Sequence, residues 1–230
     1  MEPHPNAEVD TLDADGLRSD DPGPPTRLST DRLVLHRAHP DTVEFGRVHD
    51  LFRDGAHADE VFELCGWDAH ADEAETRAYL DEKVEQWERG EFFEYVVDVD
   101  GEYVGTTCLE IGDDGEAEFG LWLCKSHWGR GFSREVTDAL THVAFESLTA
   151  PYIAVGCLPS NERSRRALER FVARYGGAYY GSPPTVPSRK RDERAVVAHH
   201  EWVVTRDQFD SAERGISTLI PGVEYDDVTF

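Results

Sequence analysis

The stretch from Glu91 to Cys124 constrains the fold most. It reads EFFEYVVDV, an Asp-Gly pair at Asp100 and Gly101, EYVGTTCLEI, GDDG, and EAEFGLWLC. Each longer run has the length of a strand and is rich in Val, Phe, Tyr and Thr. Each junction is short and built from Asp and Gly, which accept the left-handed backbone of tight hairpins. Three strands joined this way form an antiparallel meander, whose apolar side chains require cover on at least one face.

The flanking segments supply that cover. RLVLHRA (32–38) alternates as a strand does, and VEFGRVHDLF (43–52) has helical spacing. DEAETRAYLDEKVEQWER (72–89) opens with acids, carries Ala78, Leu80, Val84 and Trp87, and stops before Gly90, which predicts a helix. After the meander, FSREVTDALTHVAFESL (132–148) places Val136, Leu140, Val143, Ala144 and Leu148 on one helical stripe. YIAVGCL (152–158) reads as a strand and SNERSRRALERFVARY (160–175) as a helix opening at Ser160 or Asn161. AYYG (178–181) and AVVAHHEWVV (195–204) read as two strands across a Pro-rich loop. The order predicts an α/β domain, with strands and helices mixed in one layered unit. Residues 1–26, rich in Asp, Pro and Gly, predict a disordered tail ahead of a domain over 27–210. Residues 211–230 form a C-terminal extension whose Ile216, Leu219 and Ile220 pack on the domain or on a neighbouring subunit, so a monomer or a homodimer is expected.

Charge narrows the partners. A net charge of -24 repels nucleic acid and anionic membrane surfaces, and neither is expected as a partner. Lys83, Lys125 and Lys190 are the only lysines among 23 basic residues, the other 20 being arginine. Carboxylate excess with few lysines suits a strongly saline cytoplasm, where screening over a few ångströms removes self-repulsion. Cys65, Cys108, Cys124 and Cys157 lie far apart with no C-x-x-C pair and read as reduced thiols. The N-terminus MEPHPNAEVD has no basic or apolar leader character, and no run approaches about 18 apolar residues, so a cytoplasmic location is expected. The ten histidines lack metal-ligand spacings, and His199 and His200, adjacent on a strand, point to opposite faces. No metal is expected.

Residues 125–136, KSHWGRGFSREV, place Gly129 and Gly131 just before a predicted helix. Two readings fit. The glycines make a tight turn, or they clear a loop whose backbone N–H groups approach a phosphate at the helix N-terminus.

Two marks favour the second reading. GLWLCKSHWGRGFSREV resembles the strand end and glycine loop of the GCN5-related N-acetyltransferase superfamily, and NERSRRALER resembles the same superfamily's Asn-x-x-Ser helix. The closest likeness is to the Rim-type branch, which acetylates N-terminal amines of ribosomal proteins, and it covers roughly residues 28–207. The resemblance implies a single, mostly antiparallel sheet flanked by helices, with a V-shaped splay between the family's fourth and fifth strands. It implies acetyl-CoA as co-substrate, its pyrophosphate on the loop of Trp128, Gly129, Arg130, Gly131, Phe132 and Ser133. Its pantetheine arm would lie along the backbone of Leu121, Trp122 and Leu123, whose N–H groups would also hold an oxyanion. It implies Glu118 as the base for the acceptor amine, with Glu110 as second choice, Asn161 as a pantetheine or water ligand, and Ser164 as a hydrogen-bond donor to the departing thiolate. The sequence departs from the superfamily at Ser126, where Gln or Arg is usual, and at Leu168, where many members carry an acidic tyrosine. No cysteine matches a nucleophile position, so direct attack by a primary amine is expected, a protein N-terminus first and a small amine second. The acidic segment 57–75 would form the acceptor wall, and the basic run SRKRDER (188–194) is either a solvated loop or a segment near the substrate groove or the coenzyme phosphates. The contrasting reading is a non-catalytic acyl-CoA-binding module.

Overall fold

The computed structural model describes residues 23–54, 61, 69–181, 186–187, 196–197 and 200–218. The meander forms as expected: β3 (Phe92–Val99), β4 (Glu102–Ile111) and β5 (Ala117–Leu123) pair antiparallel in sequence order. The hairpin between β3 and β4 turns on Asp100 and Gly101, both at positive φ, and Asp98 Oδ1 accepts the Gly101 N–H at 2.7 Å. Upstream, the segment expected as one strand belongs to a short hairpin, β1 (Arg27–Ser29) and β2 (Val34–Arg37), and β2 extends the sheet beside β3.

Beyond β5 lie β6 (Tyr152–Cys157), β7 (Ala178–Gly181) and β10 (His200–Thr205). With them the sheet has eight strands in the order β1-β2-β3-β4-β5-β6-β10-β7. A separate two-residue ladder joins β8 (Val186–Pro187) and β9 (Val196–Val197). Among the described residues only the β5·β6 contact is parallel, and it holds for two residue pairs, Ala117 with Ile153 and Glu118 with Ala154. Past Glu118 the two strands diverge.

Helices cover both faces. α1 (Phe45–Asp54) and α2 (Glu73–Glu88) lie on one side, over Val96 and Trp122. α3 (Phe132–His142), α4 (Glu162–Tyr175) and α5 (Arg206–Thr218) lie on the other, over Tyr95, Leu109, Phe119 and Ile153. Local chemistry sets the helix ends. Asp72 caps α2 by accepting the Glu75 N–H at 3.0 Å, Glu75 Oε2 accepts the Ala71 N–H at 2.8 Å, and the helix stops before Gly90 at φ +72. Asn161 caps α4 by accepting the Ser164 N–H at 3.0 Å, and Gly176 at φ +70 closes it. The predicted helix 132–148 is α3 followed by one π-helical turn, Val143–Ser147. α5 crosses the expected boundary at residue 210, and its Phe209 packs on Phe145 in the core.

The tail as far as residue 22, most of the acidic segment 57–75, Cys65, the basic run 188–194, His199 and residues 219–230 lie outside the described residues. His200 is on β10, within 2.9 Å of the Tyr179 hydroxyl. Cys108, Cys124 and Cys157 are free thiols. Among the described residues no helix is long and apolar enough to cross a membrane, and no three His, Cys, Asp or Glu groups cluster as metal ligands.

Candidate active site

Between β5 and α3 the chain makes one short helical turn, Lys125–His127, and then the glycine loop. Gly129 sits at φ +74 and Gly131 at φ +86, conformations that other L-residues adopt only with strain. Both are exposed. A Cβ at Gly129 would meet no atom within 4 Å, so the turn explains its conformation while the space beside it stays open. Gly131 is the N-cap of α3 and offers no side-chain oxygen to the helix. The first N–H groups of α3, led by Phe132 and Ser133, lack intrahelical acceptors, as at any helix start, and the helix dipole adds positive potential. The arrangement is chemically a receptor for a phosphate.

Neighbouring elements pin this loop. The Trp128 indole N–H donates to the Leu123 carbonyl at 2.7 Å, tying the loop to the end of β5. Arg32, in the β1–β2 hairpin, donates from Nη1 to the Arg130 carbonyl at 2.9 Å and pairs from Nη2 with Glu135 at 2.7 Å. Its guanidinium also lies 4.7 Å from the Phe132 ring centroid, and that of Arg130 lies 4.8 Å from it. Phe132 is only 2% exposed, so its side chain is a core anchor beneath the cradle, and only its backbone is placed to meet a ligand.

The slot beside the loop is the divergence of β5 from β6. Trp122 points away from it, buried on the α1/α2 face against Phe52, and the Leu123 carbonyl is held by Trp128. What Leu121 and Leu123 present to the slot is backbone, while Trp122, expected there too, turns its N–H and carbonyl to β4 because neighbouring residues of a strand alternate sides. Thr107 steadies this strand by donating to the Gly120 carbonyl at 2.8 Å.

Glu118 and Glu110 are direct partners across β4 and β5, and so lie side by side on the α1/α2 face. Both are exposed, so Glu118 lacks the burial that would suit a carboxylate to act as a base. On the same face, one pair further along the ladder, Glu94 of β3 faces Cys108 of β4, and Cys108 faces Gly120. Sequence reasoning missed Glu94, which is 2% exposed. Burial first, then the nearby charge of the Glu94 carboxylate, pushes the Tyr79 phenol of α2 well above its ordinary value. The signal was an acid at an inward position of the apolar run FFEYVVDV.

At the other arm of the V, the Ser164 side chain stands beside the Cys157 thiol. Burial pushes that thiol up, and the hydrogen bond from Ser164 opposes the shift. Asn161 uses Oδ1 to cap α4, which leaves its amide nitrogen as a donor. The Arg163 guanidinium lies 4.2 Å above the Trp128 ring and so joins the start of α4 to the glycine loop. A cavity of about 370 Å³ follows α4 along Glu162, Arg163, Arg166 and Arg170. A larger one, about 570 Å³, lies at the far end of α4 between it and α5, away from this site.

Residues 32–173 match the acetyltransferase (GNAT) domain family, and the chain belongs to that family. Its members use acetyl-CoA as co-substrate, and the open slot and phosphate receptor fit that molecule. No curated protein matches the sequence. Solved structures share the fold. A GCN5-related N-acetyltransferase from Brucella melitensis is 17% identical, with a TM-score of 0.66 over 86% of this chain and 89% of that one. The acetyl transferase of Salmonella typhimurium that modifies the N-terminal serine of a 50S ribosomal subunit protein is 17% identical, with a TM-score of 0.62 over 76% and 96%. A microcin self-immunity acetyltransferase, solved with acetyl-CoA and AMP, is 12% identical, with a TM-score of 0.64 over 76% and 93%.

Proposed function

We propose that this acetyltransferase moves an acetyl group from acetyl-CoA to a primary amine, with a protein N-terminal amine as the favoured acceptor. The observation that carries the reading is the continuous path from the open β5–β6 slot to the uncapped start of α3. The slot accepts an extended pantetheine as an added strand, and the helix start takes the pyrophosphate. The backbone N–H groups of Leu121 and Leu123, which alternate away from β4, then face the thioester carbonyl and hold the oxyanion.

The acceptor enters from the α1/α2 face. Glu110 and Glu118 project there side by side, and two adjacent carboxylates attract an ammonium group. Glu118 takes the amine's proton, directly or through water, and the neutral nitrogen attacks the carbonyl carbon. As the tetrahedral intermediate collapses, the C–S bond breaks and the thiolate leaves toward Ser164, whose hydroxyl donates a hydrogen bond to it. The N-terminal preference rests on the Rim-type sequence marks and on the fold shared with the Salmonella typhimurium enzyme.

A second reading has its own support. With Glu118 exposed and the half-buried Leu168 packed against the core in place of an acidic tyrosine, a binding module without chemistry fits the same slot. Thiol release in molar salt separates the two. Acceptor peptides with free N-termini, the same peptides N-acetylated, and polyamines are compared, with products read by mass spectrometry. The transferase reading expects thiol release matched one-for-one by acetylated amine, and its loss in Glu118→Gln with acetyl-CoA affinity retained. Saturable coenzyme binding with no product from any amine would favour the module.

A further inference from the structure

Any coenzyme A thioester approaching this chain meets a net charge of -24, and the coenzyme is itself a polyanion. Tight binding therefore needs local positive potential wherever its phosphates come to rest. The pyrophosphate has the start of α3. The coenzyme also carries a phosphomonoester on its ribose, one sugar beyond the pyrophosphate, and none of the site groups placed above among the described residues meets it.

The first turns of α4 hold the missing charge. Arg163, Arg166 and Arg170 fall at spacings of three and four residues, which places them on one helix face. They line the groove of about 370 Å³ together with a single carboxylate, Glu162. Glu162 is engaged along the helix, by Arg165 at 2.7 Å and Arg166 at 3.8 Å. Arg163 and Arg170 make no ion pair among the described residues, although 47 acids are available in the chain. Arg163 is fixed over Trp128, the residue next to Gly129, so the stripe starts at the glycine loop and runs away from it for about 10 Å along the helix. Most of the described arginines pair with carboxylates, whereas Arg163 and Arg170 sit unpaired on one helix face with the loosely paired Arg166 between them, a spacing that suits a dianion.

We propose that Arg163, Arg166 and Arg170 form the subsite for the 3′-phosphate of the coenzyme. They thereby select coenzyme A thioesters over donors that present only phosphopantetheine, such as acyl carrier proteins. The proposal rests on the acetyl-CoA reading of the slot. A fork of guanidinium donors suits a phosphomonoester, which accepts several charge-assisted hydrogen bonds at once.

The test compares acetyl-CoA with acetyl-3′-dephospho-CoA on the full chain in molar salt, by calorimetric Kd. Wild type is set beside the double variant Arg166→Gln, Arg170→Gln, which leaves the stacking of Arg163 on Trp128 in place and whose fold is checked by circular dichroism. The expected result is that wild type binds acetyl-CoA at least tenfold more tightly than the dephospho compound. In the double variant this preference collapses, and affinity for the dephospho compound stays within about twofold of wild type. Equal wild-type affinity for the two compounds would overturn the subsite and leave the acetyltransferase reading intact. A preference that survives in the double variant would also overturn it, by placing the phosphate elsewhere. Failure to bind either compound would overturn both readings.

Discussion

Gly129→Asn separates a turn from a phosphate cradle. The position lies at φ +74 with no atom within 4 Å of a would-be Cβ, so a side chain fits without collision in the free protein. An ordinary L-residue there would cost about 1–2 kcal/mol, and asparagine, the most tolerant of left-handed backbone, less. At roughly 2–4 °C per kcal/mol for a domain of this size, the melting temperature should fall by only a few degrees. Coenzyme affinity should respond more strongly. A side chain over the loop keeps a phosphate from its N–H groups, and each hydrogen bond to a charged group contributes about 1.5–3 kcal/mol, so Kd for acetyl-CoA should rise about 10- to 100-fold. Gly90, at φ +72 and equally open but at the end of α2, supplies the control. Gly90→Asn should show the same small thermal shift with no change in Kd. The assays are thermal melts and calorimetric titration in molar salt. Equal Kd in wild type and Gly129→Asn would refute the cradle and leave the glycines as a turn.

Three further outcomes follow from other contacts. Gly105→Ala should destabilise severely, by about 3 kcal/mol or more in a denaturant melt, because its Cβ would lie 2.1 Å from the Trp122 carbonyl oxygen and 2.8 Å from the Leu123 Cα, both backbone. Trp128→Phe removes the 2.7 Å bond to the Leu123 carbonyl and should lower stability by about 1 kcal/mol while raising KM for acetyl-CoA, as read from melts and initial rates. The His142 imidazole is pushed down to about 4 by burial, against the opposing pull of Glu146. The unfolded chain therefore takes up this proton first, and the contribution, about 3 kcal/mol at most, is complete above about pH 6.5 and lost as pH falls toward 4. The neighbouring Glu213 carboxyl, raised by burial and then by Glu146, titrates with the opposite sign. The readout is accordingly the difference in pH slope between wild type and His142→Gln, which should be flatter in the variant.

The elements legible in the sequence carry local signals. The Asp-Gly hairpin and the acid-rich start of α2 announce themselves within a few residues and are present as read. The helix expected to open at Ser160 or Asn161 starts with Asn161 as its cap, and the two glycines take the left-handed backbone that both of their readings require. The contacts that set the site run across the chain instead. Arg32 clamps Glu135 and the Arg130 carbonyl over about a hundred residues of separation, and no periodicity in either segment points to the other. Phe132 looked like part of the cradle wall because it stands in the loop motif. Its place in the first turn of α3 turns the ring inward instead. Glu94 escaped notice because an acid in a strand of a chain with 47 acids looks solvated until the opposing helix is in place. No helix is legible in the sequence over Arg206–Thr218, which is divided there between the domain and the C-terminal extension, because its link to the core runs through few apolar side chains, Phe209 chief among them.

The central claim is that one ligand spans the β5–β6 slot and the start of α3. Amide chemical-shift mapping of the isotopically labelled protein, titrated with acetyl-CoA in molar salt, tests it most directly. The account predicts saturable shifts at Leu121, Trp122, Leu123, Gly129, Gly131, Phe132 and Ser133, with Gly90 and Gly176 unmoved. Shifts confined to the larger cavity between α4 and α5, or none at saturating coenzyme, would contradict it.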